Sequence, residues 1–271
     1  MKHLYKFLYY CKKLYLLYFL VHFYCHFSYA ASFNNPNLEF RQAQEYNACM
    51  TLARRKPEEG FESALAWSKE GGGAPAEHCI AIALIQLNKF PEAALRLEKA
   101  ATLINKGEES LAAELLGQAA QAWYQADRLD FAYLLQSRAL NLDPQNIDLF
   151  IDRGVILVES GKYQEALADF NQALTLSPQK IEALVYRGTV YRILDQLDDA
   201  KKDINQALLI NSHYPEALLE RGILKRLSQD NEGARQDWIE VLKLAKDTPT
   251  GELAQRNIEK LDINLPSNTE N

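Results

Sequence analysis

The sequence predicts an all-α fold built by repetition, and three observations carry that prediction. Small residues recur every 34 positions, without a gap, over four consecutive rows. Successive rows close on turn signals, Asp143-Pro144, then Ser177-Pro178, then Asn211-Ser212 with Pro215 three residues on. No stretch of the body alternates apolar and polar residues with the period of a strand.

The columns are well defined. Ala120, Gly154, Gly188 and Gly222 form one, Ala132, Ala166, Ala200 and Ala234 a second, and Ala139, Ala173, Ala207 and Val241 a third. This register resembles the tetratricopeptide repeat (TPR), a 34-residue helix–turn–helix with small residues at positions 8, 20 and 27 and Pro at 32. The resemblance implies a TPR-type helix-hairpin solenoid, a right-handed superhelix of about six helix pairs plus a C-terminal capping helix. Physics gives each column a reason. Small side chains at 8 and 20 let two antiparallel helices approach closely, and position 27 does the same for the next repeat.

Repeats are expected over 74–248, as 74–107, 113–146, 147–180, 181–214 and 215–248. In the first of these, Ala93 and Ala100 take the second and third columns, and five extra residues, Asn105 to Glu109, lengthen the connection that follows. Residues 31–73 read as N-terminal helices and a divergent first repeat. There Tyr46 to Trp67 form a helix pair with Arg54 to Gly60 as its turn, and Gly71-Gly72-Gly73 break the helix before Pro75. Residues 249–271 read as a capping helix, Gly251 to Leu261, followed by a tail from Asn264.

The first 30 residues differ in kind from the rest. They hold four Lys, no acidic residue, 7 of the 14 Tyr and 4 of the 11 Phe. Lys2, Lys6, Lys12 and Lys13 precede an apolar run from Leu14 to Phe27, and Ser28-Tyr29-Ala30 offers small residues before a cut ahead of Ala31. That layout predicts a cleaved secretory signal peptide over 1–30 and a periplasmic location. The run falls short of the ~20 residues a spanning helix needs, so an uncleaved anchor is the weaker reading and no span is expected after cleavage. Past residue 30 the chain carries 26 basic and 36 acidic residues, a net charge of −10. Such a body repels phosphate backbones, so nucleic acid is not expected as a partner.

Cleavage would leave two cysteines, Cys49 and Cys79, at similar places in successive helix pairs. In an oxidising compartment they can pair, and a loop of that length would contribute ~3.6 kcal/mol. The alternative is two buried thiols that pack as small hydrophobes.

The sequence offers no catalytic constellation. Only His78 and His213 remain after the signal, with no Cys-x-x-Cys and no glycine-rich phosphate loop. His78 beside Cys79 would lack the further ligands of a closed metal site. No enzyme activity, metal or cofactor is expected. Arg153, Arg187 and Arg221 recur at position 7, and Asp169, Asp203 and Asp237 at position 23 of the same repeats. In the TPR subclass this resembles, the two positions approach across the hairpin, which implies structural ion pairs.

In TPR proteins helix A positions 2, 5, 9, 12 and 13 line the concave groove. Carried onto this sequence, those columns nominate Ile82, Ile85, Tyr124, Ile151, Val155, Val185, Arg192, Leu219, Ile223 and Arg226 as partner-binding residues, with an acidic edge at position 2 (Glu114, Asp148, Glu182, Glu216). The carboxylate-clamping residues of chaperone adaptors are absent from positions 5 and 9, which hold Ile151, Val185, Leu219 and Val155, Thr189, Ile223. Two readings of the apolar lining compete, a surface for an apolar or amphipathic segment or ordinary core between repeats.

The stretch Tyr46-Asn47-Ala48-Cys49 through Trp67, Gly71-Gly72-Gly73 and His78-Cys79 further resembles exported TPR proteins of alphaproteobacteria. The expectation is a protein-binding scaffold of the cell envelope. The alternative is an accessory or regulatory subunit that docks through its cap or convex face.

Overall fold

In the computed structural model the backbone is described over residues 36–263 and side chains over 43–262. The expected signal peptide and the C-terminal tail lie outside the described residues. Within them are thirteen α-helices and no strand: α1 (Pro36–Arg55), α2 (Pro57–Lys69), α3 (Gly73–Gln86), α4 (Phe90–Thr102), α5 (Glu109–Gln125), α6 (Leu129–Leu142), α7 (Ile147–Glu159), α8 (Tyr163–Leu176), α9 (Ile181–Ile193), α10 (Leu197–Ile210), α11 (Pro215–Leu227), α12 (Asn231–Ala245) and α13 (Pro249–Ile263). In chain order they make six helix pairs and a final single helix, the all-α TPR-type arrangement.

The small columns explain the pairs. Ala93, Ala132, Ala166, Ala200 and Ala234 are wholly buried, as are Ala100, Ala139, Ala173, Ala207 and Val241. At position 8 the need is steric. A Cβ on Gly222 would sit inside the Trp238 indole ring, and one on Gly188 would meet Ile204 at about 3.0 Å. Trp238 is fully buried and donates its indole N–H to the Leu219 carbonyl (3.2 Å), so its bulk fills the hairpin without stranding a polar group.

The five hairpins from α3 onward each turn on one left-handed residue at position 15: Asn88, Asp127, Gly161, Asp195 and Gln229, with φ between 58° and 73°. The next amide reaches back five residues, Arg128 to Trp123, Gln196 to Tyr191 and Asp230 to Lys225 among them, at 2.8–2.9 Å. This is a Schellman closure, which satisfies the open carbonyls of the first helix and reverses the chain in three residues.

Three expected boundaries are corrected. The turn placed over 54–60 is the single residue Lys56, because Pro57 and the acidic Glu58 and Glu59 start α2 at once. Gly60 lies inside α2, where it lets that helix rest against the Ala53 backbone. The insertion at Asn105 to Glu109 is not all loop, since Glu109 begins α5, a helix of 17 residues. The capping helix runs two residues further at each end than Gly251 to Leu261.

The described helices fall into two compact units that divide between Ile156 and Leu157, inside α7. In the N-terminal unit, α3 packs against α1, α2 and α4. Its core includes Ala53, Ile80, Leu97, Leu115 and Leu135. In the C-terminal unit α13 covers α11 and α12 with Ala254 and Leu261 buried, the capping role expected of it. At roughly 1.5–3 kcal/mol for each buried large apolar side chain, these two cores outweigh any single polar contact below.

Candidate partner-binding face

In the N-terminal unit, α3 carries Ile82 and Ile85, both half-exposed. On α5, Tyr124 is buried, and on α7 Ile151 and Val155 are buried at 3% and 7% exposure. The C-terminal unit repeats this pattern. Val185 on α9 and Leu219 on α11 are buried, whereas Ile223 and Arg226 are half-exposed and Leu227 is exposed. Five of the ten nominated side chains thus sit at depth, and the others form rims at positions 9 and 12.

Arg192 is committed elsewhere. Its guanidinium donates to both carboxylate oxygens of Glu220 (2.6 and 3.0 Å), and Glu220 is 1% exposed. A bidentate pair at this depth is a fixed joint between α9 and α11. Its counterpart in the N-terminal unit is neutral–ionic, with the Gln121 amide donating to Asp152 at 2.9 Å between α5 and α7. Position 6, occupied by Gln118, Asp152 and Glu220, therefore receives the preceding helix A, a role the sequence reading missed. A polar residue recurring at an otherwise buried column was the available signal.

Two of the position-2 carboxyls, Glu114 and Glu216, are desolvated. Burial raises the pKa of Glu216, and the charge of Glu182 adds to the shift against a hydrogen bond from Thr250 Oγ1 (2.9 Å) on α13. Burial likewise raises Glu114, helped by the charge of Asp143. The position-7 ladder is structural where it is described. Arg187 grips Asp203 with two bonds of 2.7 Å, and Arg221 grips Asp237 at 2.7 and 2.9 Å. Arg153 donates to Ser137 Oγ at 3.3 Å.

A second polar group surrounds α3. Glu77, 1% exposed, accepts from Ser68 (2.6 Å), Lys99 (2.8 Å) and Arg96 (2.9 Å). Burial pushes its pKa up, but those three donors outweigh burial and hold the carboxyl below its ordinary value. Beside it, His78 joins three helices. Its Nε2 lies 2.9 Å from Gln118 Oε1 on α5, and its Nδ1 lies 2.7 Å from the Tyr46 hydroxyl on α1. A neutral ring satisfies both, with Nε2–H donating to the Gln118 oxygen and Nδ1 accepting from Tyr46. Burial is the largest cause of a pKa lowered to about 4, and the nearby Arg54 charge acts the same way. One residue on, Cys79 is joined to Cys49 of α1, with Cα atoms 6.2 Å apart. No group of three His, Cys, Asp or Glu side chains able to hold a metal occurs among the described residues. No helix among them is long and apolar enough to cross a membrane.

With this geometry in place, residues 154–191 match the family model described as TPR repeat. The chain carries TPR-repeat sequence over these residues. The TPR fold is shared with the structure of pilF from Pseudomonas aeruginosa (TM-score 0.60, 16% identity, covering 80% of this chain and 99% of that one). It is also shared with YrrB, described as a TPR protein with an unusual peptide-binding site (TM-score 0.51, 20% identity, 72% and 96% covered). A third such structure is MamA from Desulfovibrio magneticus RS-1 (TM-score 0.54, 18% identity, 64% and 95% covered). No curated protein matches the chain.

Proposed function

We propose that this TPR protein is a non-catalytic protein-binding scaffold of the cell envelope that holds a partner segment against the helix A rims. The observation that carries the reading is the rim itself. Ile223, Arg226 and Leu227 remain half-exposed or exposed on α11, above a floor in which Val185 and Leu219 are already packed. Half-exposed apolar side chains next to a cation suit an amphipathic segment, and peptide binding by the structurally similar YrrB is in keeping with that use. The export reading is supported by the N-terminal pattern and by Cys49 and Cys79 lying within bridging distance.

Ile223→Glu separates binding from folding, because its side chain is half-exposed, whereas Val155→Glu buries a charge and should unfold the chain. Affinity purification of the tagged protein from its native envelope, wild type beside I223E, is the test. Loss of a co-purifying protein with an unchanged helical spectrum supports the rim; identical partner recovery refutes it. Intact mass of the purified chain tests the address. A chain that starts at Ala31 and is two hydrogens lighter than its reduced form is expected, and a full-length reduced chain would overturn export.

A second reading, an accessory subunit docked through the outer helices, is favoured by Leu95 on α4 and Leu134 on α6. Both occupy position 22 of successive repeats and are 57% and 53% exposed. Leu95→Arg with Leu134→Arg would abolish assembly under that reading and leave rim binding intact.

A further inference from the structure

The described part of helix α1 is mostly exposed. Of its described side chains, residues 43–55, only Cys49, Met50 and Ala53 are buried, and eight are exposed. Its outward face carries Gln44, Glu45, Asn47, Thr51, Arg54 and Arg55, the polar face a terminal cap needs. Its inward face meets α3 at points that include, one helical turn apart, the Tyr46 hydroxyl on His78 and Cys49 on Cys79, and α1 also packs against α2. By contrast α2 has independent anchors in Trp67, which covers Gly72, and in Ser68, which bonds the buried Glu77.

We propose that the Cys49–Cys79 bridge is a redox lock on the N-terminal cap: α1 docks on α3 in the oxidised chain and is released when the bridge is reduced. Met50 and Ala53, the Tyr46 hydrogen bond and the packing of α1 against α2 and α3 would otherwise have to hold the helix against the conformational entropy of ordering it. The cross-link removes much of that cost by keeping α1 close to α3. Release uncovers the side of α3 that bears His78 and Cys79, which are 3% and 0% exposed when α1 is docked.

The chemistry is thiol–disulfide exchange. For closure, the Cys79 thiolate attacks a donor such as glutathione disulfide, forming a mixed disulfide and expelling one glutathione thiolate. The Cys49 thiolate then attacks the Cys79 sulfur, and the second glutathione leaves. Two electrons pass to the donor, which takes up the two protons lost from the cysteines. Opening is the reverse with a dithiol reductant. Cys49, at 6% exposure, is the sulfur more open to attack.

The test is amide hydrogen exchange of the full mature chain, oxidised, then reduced under denaturant-free conditions, then reoxidised with glutathione disulfide. Peptides from α1 should lose at least tenfold in protection on reduction and regain it on reoxidation. Those from α5 to α13 should be unchanged, and the C49S/C79S double variant should behave as the reduced chain. Unchanged α1 protection would show that packing suffices and overturn the lock. Loss of protection throughout the chain would overturn it equally, because the bridge would then hold the fold rather than the cap. The proposal rests on the envelope reading only for the source of oxidant, and this experiment on purified protein is independent of where the chain resides.

Discussion

Acidification should weaken the N-terminal unit through His78. In the folded chain the imidazole is buried, accepts from Tyr46 at Nδ1 and has its pKa lowered to about 4, against about 6.5 for an exposed histidine. Unfolding releases the ring to water, so as pH falls the unfolded state takes up the proton first. The contribution of the neutral ring is therefore intact above about pH 6.5, declines as pH falls toward 4, and is fully lost below that value. Integrating between these limits gives a loss of about 2 kcal/mol by about pH 5 and about 3 kcal/mol in total. Urea unfolding of the oxidised chain at about pH 7.5 and 5, wild type beside His78→Gln, isolates the effect. Carboxyls such as Glu114 and Glu216 titrate alike in both proteins and cancel in the difference. The variant should lose stability at neutral pH but show a shallower pH dependence by about 2 kcal/mol. A difference between the two proteins that stays constant across this range, or a His78 imidazole that titrates near 6.5 by NMR, would refute the reasoning.

Other positions give sharp tests by thermal or urea unfolding. Gly222→Ala drives a methyl into the buried Trp238 ring and should destabilise the C-terminal unit by about 1–3 kcal/mol; a neutral result would mean that the indole can slide aside. Glu220→Ala strands the Arg192 guanidinium between α9 and α11 and should cost about 3 kcal/mol, with Arg192→Met in the same chain recovering most of it. Gln229→Gly should stabilise by about 1 kcal/mol, because Gln229 is held at φ 66° where a Cβ is disfavoured; a loss of stability would show that its side chain is needed there. The Ile223→Glu and Val155→Glu pair should differ in kind, the first folded and the second unfolded, by circular dichroism.

What could be read without coordinates was whatever recurs. Ala132, Ala166, Ala200 and Ala234 are wholly buried at the same position of successive repeats, so one packing requirement is written four times at a fixed spacing. The helix bounds at 147, 181 and 215, the Arg187–Asp203 and Arg221–Asp237 pairs and the covering role of α13 follow from that repetition. Even the cysteine pair was visible as two residues in equivalent places. The turn residues were hidden by their variety: Asn88, Asp127, Gly161, Asp195 and Gln229 share a backbone conformation and no side-chain chemistry. The abrupt join at Lys56 was obscured because Gly60, read as a turn residue, serves close packing inside a helix.

The sequence by itself determined the all-α repeat, its register and the turn signals that end each repeat, because those features are local and periodic. Only the tertiary structure decided how deep each groove position lies, which donors surround Glu77, that His78 bridges Tyr46 and Gln118, and that Arg192 is spent on Glu220. These contacts join unlike residues from separate helices, each pair formed once. Their partners are set by how the helices pack, and no spacing along the chain announces them.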